Sequence, residues 1–138
     1  MDFKECIKKR IVKGVCSDGE LIKSLLKTSK NKLYSGEKLG LDDITSTSKI
    51  SLMYDSLREL LEALALKKGF KIYNHECYTS FLKEVVGLDA ISEEFDDLRK
   101  IRNNINYYGK EISIKEAKQV LEQIKELRSK ILNLILEN

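Results

Sequence analysis

The sequence predicts an all-α protein: an up-and-down bundle of four main helices plus one short helix. Three observations carry that reading. Proline is absent and glycine occurs only seven times in 138 residues, so the turn punctuation of an all-β fold is missing. Apolar residues recur at helical spacing through several long segments. Serine-led capping boxes stand where two of those segments begin. The length suits a single domain spanning residues 1–138, and no internal repeat or low-complexity linker divides it.

Taken in order, residues 2–13 read as a short basic helix. Ser17-Asp18-Gly19-Glu20 has capping-box spacing, and Leu21, Ile22, Leu25, Leu26 and Leu33 follow at helical intervals. Leu39–Ser48 reads as a loop. From about Ser48 to Lys68 runs the strongest amphipathic pattern, through Leu52, Met53, Leu57, Leu60, Leu61, Leu64 and Ala65, with Gly69 at the C′ position. A compact helix is expected from Asn74 or His75 to about Val86, stopped by Gly87. The next helix starts near Ser92 and ends at Gly109. Ser113-Ile114-Lys115-Glu116 is a second capping box and opens a long helix with Ala117, Val120, Leu121, Ile124, Leu127, Ile131, Leu134 and Ile135 at heptad-like spacing.

Composition narrows the function classes. Net charge is +3, too mild to argue for nucleic acid alone. Residues 1–38 hold ten basic and five acidic side chains, a local net of +5, which suits either a polyanion partner or lysines on solvated helix faces. Cys6, Cys16 and Cys77 are odd in number and form no CxxC pair, so a reducing, cytoplasmic compartment is expected. His75-Glu76-Cys77 has no second ligand pair at zinc-like spacing, so no metal or other cofactor is expected. The N-terminus lacks the apolar stretch of a signal peptide, and the longest apolar run, near Ile131–Leu136, is far too short to span a bilayer; no membrane association is expected.

The segment from Leu98 to Gly109 is where the helical pattern breaks its own rule. Ile91, Phe95, Leu98, Ile101 and Ile105 form one apolar stripe, and Arg102 falls inside it. A guanidinium there must meet a carboxylate, sit in a polar cleft or face a partner. Asp55 or Glu59 of the neighbouring helix would serve as the carboxylate. Asn103, Asn104 and Asn106 crowd beside Arg102, although asparagine is a mediocre helix former; they either build a site or cap a fraying turn. Tyr107 and Tyr108 then close the helix, as stacking surfaces or as core edges.

This arrangement resembles the HEPN superfamily (higher eukaryotes and prokaryotes nucleotide-binding domains). Tyr54 through Gly69 resembles the second bundle helix of that family. His75-Glu76-Cys77-Tyr78-Thr79-Ser80-Phe81-Leu82 resembles the start of the next, where a histidine often caps the turn. Leu98 through Tyr108, followed by Ile112-Ser113-Ile114-Lys115-Glu116-Ala117, resembles the signature helix and the long helix after it. The likeness covers roughly residues 48–137 and leaves the basic N-terminal helices of residues 1–38 outside.

The resemblance implies a site of Arg102, Asn103, Tyr107 and Tyr108. Catalytic members carry an arginine, a polar follower, and a histidine four to six positions beyond the arginine. Arg102 and Asn103 match the first two; the histidine position falls on Tyr107, Tyr108 or Gly109. It also implies a homodimer through the Arg102 helix, with paired arginines lining a cleft for RNA or nucleotide. Active members cleave RNA without metal. The 2′-OH attacks phosphorus, a cation steadies the phosphorane, and a group near neutral pKa moves the proton. Tyrosine, with an ordinary pKa of about 10, is poorly suited to that last task. Three readings follow: a dimeric RNA- or nucleotide-binding protein with a degenerate or weak ribonuclease site; an active metal-independent endoribonuclease of the toxin–antitoxin type, paired with a nucleotidyltransferase-like antitoxin; and a non-catalytic protein-interaction scaffold. The first fits the replaced histidine and the basic N-terminal third best.

Overall fold

A computed structural model describes residues 1–137. The chain runs α1 (Phe3–Lys8), β1 (Val12–Gly14), α2 (Gly19–Lys38), α3 (Ser46–Lys67), β2 (Phe70–Ile72), α4 (His75–Ser80) continuing as a π-helical turn over Phe81–Val85, α5 (Asp89–Tyr108) and α6 (Ile114–Leu136). The four long helices are the expected ones.

Side-chain pairs fix their directions. Thr28 and Lys32 on α2 meet Glu59 on α3, and further along α2 Gly36 lies against Met53, so these two helices are antiparallel. A methyl group at Gly36 would come within 2.6 Å of the Met53 sulfur, which is why that position on α2 carries no side chain. On α5, Glu94 pairs with Lys130 of α6 while Ile105 lies near Val120, again antiparallel. Ser51 of α3 binds Asn106 of α5 at 2.9 Å, whereas Tyr54 of α3 stacks on Phe95. The long helices therefore alternate in direction.

Helix α3 is the axis of the molecule. Its run Ala63-Leu64-Ala65-Leu66 is buried at every position, so its last turns are covered well beyond one stripe, while Asp55, Arg58 and Glu62 stay half-buried on the remaining face. Phe81, Phe95, Ile124 and Leu127 close the core around it. Gly69, at φ +91°, ends α3 where the sequence placed its stop, and Gly109, at φ +61°, does the same for α5.

Several expectations need correction. Residues 2–13 are not one helix: α1 stops at Lys8, Arg10 turns the chain at φ +61°, and Val12–Gly14 enters a two-stranded antiparallel ribbon with Phe70–Ile72. A bundle of four main helices thus carries two short helices, α1 and α4, instead of one, plus a ribbon. At the start of α2 the cap is Asp18, whose carboxylate accepts from the Leu21 amide at 3.1 Å, one residue beyond the expected Ser17. The second box is as expected, with Ser113 accepting from the Glu116 amide at 3.1 Å. The cysteines are not all thiols: Cys6 and Cys77 form a disulfide joining α1 to α4, and only Cys16 is free and exposed. The expectation of a reducing compartment, drawn from the cysteine count, does not include this bond. Among the described residues no helix is long and apolar enough to cross a membrane.

Candidate functional site

One cleft, of about 430 Å³, opens where the end of α5 passes the start of α4. Arg99, Arg102, Asn103 and Tyr107 line it from α5; Tyr73 and Asn74 line it from the link between β2 and α4, and His75 and Glu76 from the first turn of α4. Two folding decisions build it. The apolar stripe Phe95–Leu98–Ile105 turns α5 so that Arg102 borders the core. The Asn74 side chain accepts from the Glu76 amide at 2.7 Å, starting α4 with His75 as its first residue.

Arg102 has no ion-pair partner among the described residues. The two carboxylates the sequence offered it are engaged elsewhere: Asp55 lies 4.0 Å from Arg58, and Glu59 pairs with Lys32 and accepts from Thr28 at 2.7 Å. The guanidinium instead lies between two rings, with its carbon 5.4 Å from the centre of Tyr54 and 5.9 Å from that of Tyr107. Its Nε is buried and unbonded, a position that costs about 1–3 kcal/mol when nothing offsets it. Arg99 differs. Its Nε and one terminal nitrogen both donate to Asp96 at 3.0 and 2.9 Å, and Lys100 joins the same carboxylate. Burial works against the Asp96 charge, but hydrogen bonds from Lys100 and Arg99 hold its carboxyl below the usual carboxylate range.

His75 enters the site from the first turn of α4. Asn74, not His75, caps α4, and the imidazole turns inward so that Nδ1 sits 3.2 Å from the Tyr54 hydroxyl. Tyr54 is fully buried, and its hydroxyl hydrogen has no other acceptor among the described residues. We therefore assign the O–H as donor to Nδ1, which puts the imidazole hydrogen on Nε2. Burial, reinforced by the nearby positive charges of Arg58, Arg102 and Arg99, pulls the His75 pKa down to about 4. The ring is thus a neutral hydrogen-bond donor at pH 7. Burial pushes the Tyr54 phenol well above its ordinary value, so it stays protonated as a donor.

No family model matches this chain, and comparison with curated proteins and solved structures gives no match either.

Of the four residues expected at the site, Arg102, Asn103 and Tyr107 meet in one cleft. Tyr108 is exposed on the same helix end but does not line it. Asn104 and Asn106 do structural work: the Asn104 carbonyl accepts from the Gly109 and Lys110 amides, and Asn106 binds Ser51. Tyr107 and Tyr108 are no core edges, since their exposures are 70% and 80%. Arg99 joins the cleft as the i,i+3 neighbour of Arg102 on α5, while Tyr73, His75 and Glu76 come from positions no local pattern connects to Arg102. Chemically the cleft offers an uncommitted guanidinium, a neutral N–H donor and an exposed aromatic face, which together suit a phosphate ester carrying a base.

Proposed function

We propose that this protein is a HEPN-like RNA- or nucleotide-binding module whose ribonuclease site is degenerate or weak. The observation that carries the reading is Arg102: a guanidinium close to the rings of Tyr54 and Tyr107, with a buried Nε that has no hydrogen-bond partner and no carboxylate within ion-pair distance among the described residues. A cation maintained at that cost is suited to an anion from outside the chain, and its planar fork matches phosphate oxygens. Tyr107 stands beside it with its ring in solvent, ready to stack a base. The same helix end is the surface through which two copies would pair, setting two Arg102 side chains across one groove.

The cleavage reading has one observation in its favour, the presence of His75 in the cleft. Its state argues for a slow reaction at most. A base for the 2′-OH needs a pKa near neutrality, and a ring held at about 4 with its hydrogen on Nε2 is a poor acceptor. Binding without efficient turnover is the outcome this chemistry favours.

The test is incubation of the protein with end-labelled single-stranded RNA in EDTA, with Arg102→Ala in parallel. A gel shift of intact RNA that disappears in the variant is the expected result. Arg102-dependent cleavage would instead identify a metal-independent endoribonuclease, and neither shift nor cleavage would leave the protein-interaction scaffold.

A further inference from the structure

Resting on that reading, we propose that the outer face of the β1–β2 ribbon is a second nucleotide subsite, so that the ligand is a single strand of at least two nucleotides running from the Arg102 cleft onto the ribbon. Residues in a strand alternate between faces. Val12 and Ile72 are buried and face the core, which leaves Lys13, Lys71 and Tyr73 on the opposite, outward face. Tyr73 also lines the Arg102 cleft, so the two surfaces are continuous through one residue.

Two features of this face point to a polyanion with stackable rings. Lys13 and Lys71 are direct cross-strand partners in the register, a like-charge pairing that destabilises a ribbon unless something offsets it. Glu62 offsets Lys71 at 2.6 Å, but Lys13 has no such partner among the described residues. Both ammonium groups gather on the Tyr73 ring, at 5.6 and 6.0 Å from its centre, and the ring remains 61% exposed. An exposed tyrosine flanked by two cations beside a guanidinium cleft is the combination by which single strands are held: rings stack bases while cations follow the backbone. With Tyr107 on the α5 side and Tyr73 on the ribbon side, successive bases each find a ring, and the phosphate between them falls at Arg102. This also gives Lys13, from the basic N-terminal third, a place in the site.

The experiment measures affinity for 5′-labelled uridine oligonucleotides of one, two, four and eight residues, using wild type, Tyr73→Ala, Tyr73→Phe, Lys13→Gln and Arg102→Ala. Tyr73 is joined to the fold by its backbone, its amide donating to the Ile11 carbonyl at 2.9 Å, so truncating the ring leaves the ribbon intact. The expected result is a loss of roughly tenfold in tetranucleotide affinity for Tyr73→Ala, several times its effect on the mononucleotide, and recovery with Tyr73→Phe. Lys13→Gln should reduce the salt dependence of tetranucleotide binding by about one ion. Arg102→Ala should weaken every length. Binding that depends on Arg102 but is indifferent to Tyr73→Ala at all lengths overturns the ribbon subsite alone. Absence of binding by the wild type overturns both readings.

Discussion

Arg102 and Arg128 both reach into the interior without an ion-pair partner among the described residues. Arg128 on α6 is 8% exposed; its Nε donates to the Ser56 hydroxyl at 2.8 Å and a terminal nitrogen to that of Ser29 at 3.1 Å. Those two serines also bind each other's carbonyls across α2 and α3, so the arginine closes a three-helix knot of complementary donors and acceptors. Burial lowers the Arg128 pKa, opposed by Tyr34 and Glu37. Arg102 on α5 has aromatic faces in place of hydroxyls, and its Nε is left over. The same side chain is therefore structural where its donors are answered from within, and available for function where they are not.

The largest effect concerns the anchoring of the cleft. The Cys6–Cys77 disulfide closes a separation of 71 residues and fixes α4, the wall that carries His75. Reducing it should lower stability by about 4 kcal/mol, measured by urea unfolding with and without reductant, and should leave the Arg128 knot the last part to lose hydrogen-exchange protection. Next comes the comparison itself. Arg128→Ala should cost about 2 kcal/mol of stability through the lost charge-assisted bonds, while Arg102→Ala should stay within about 1 kcal/mol of wild type because no hydrogen bond is broken. Equal losses in the two variants would remove the distinction.

Smaller effects sharpen the picture around His75, the sole histidine and hence a single imidazole signal in NMR. Its folded pKa of about 4 lies below the 6.5 expected of the unfolded chain. Between those values the unfolded state takes up a proton that the folded state refuses, so the His75 contribution to stability is intact above about pH 6.5 and declines as pH falls towards 4. A chemical-denaturation series across that window, compared with His75→Gln, isolates it. In Tyr54→Phe the imidazole loses the hydroxyl that donates to Nδ1 and favours its neutral form, so its pKa should rise. An unchanged titration would show that the hydroxyl is not that donor.

Much of this was legible in the sequence because it is local. Periodicity located the four long helices, and Gly69 and Gly109 ended two of them because the left-handed turn there favours glycine. Arg102 announced itself by its place in an apolar stripe. What escaped depends on pairing between distant segments. The strands are three residues each and separated by more than fifty positions, too short to show a period of two. Cysteine number alone did not reveal the Cys6–Cys77 bond, since an odd count only requires that one remain free. His75 and Tyr73 reach the cleft because β2 pairs with β1 and delivers α4 beside α5, a tertiary fact no local pattern encodes. Arg128 carries the same mark as Arg102, since it falls on the apolar stripe of Leu121, Ile124, Ile131 and Ile135, but the two serines that answer its donors lie on other helices.

The most direct test of the central claim is the affinity for a single-stranded RNA octamer measured side by side for wild type, Arg102→Ala and Arg128→Ala under conditions where all three are folded. The account predicts that Arg102→Ala weakens binding at least tenfold and Arg128→Ala leaves it unchanged, the reverse of their order in stability. Binding that survives the loss of Arg102, or falls equally in both variants, would contradict it.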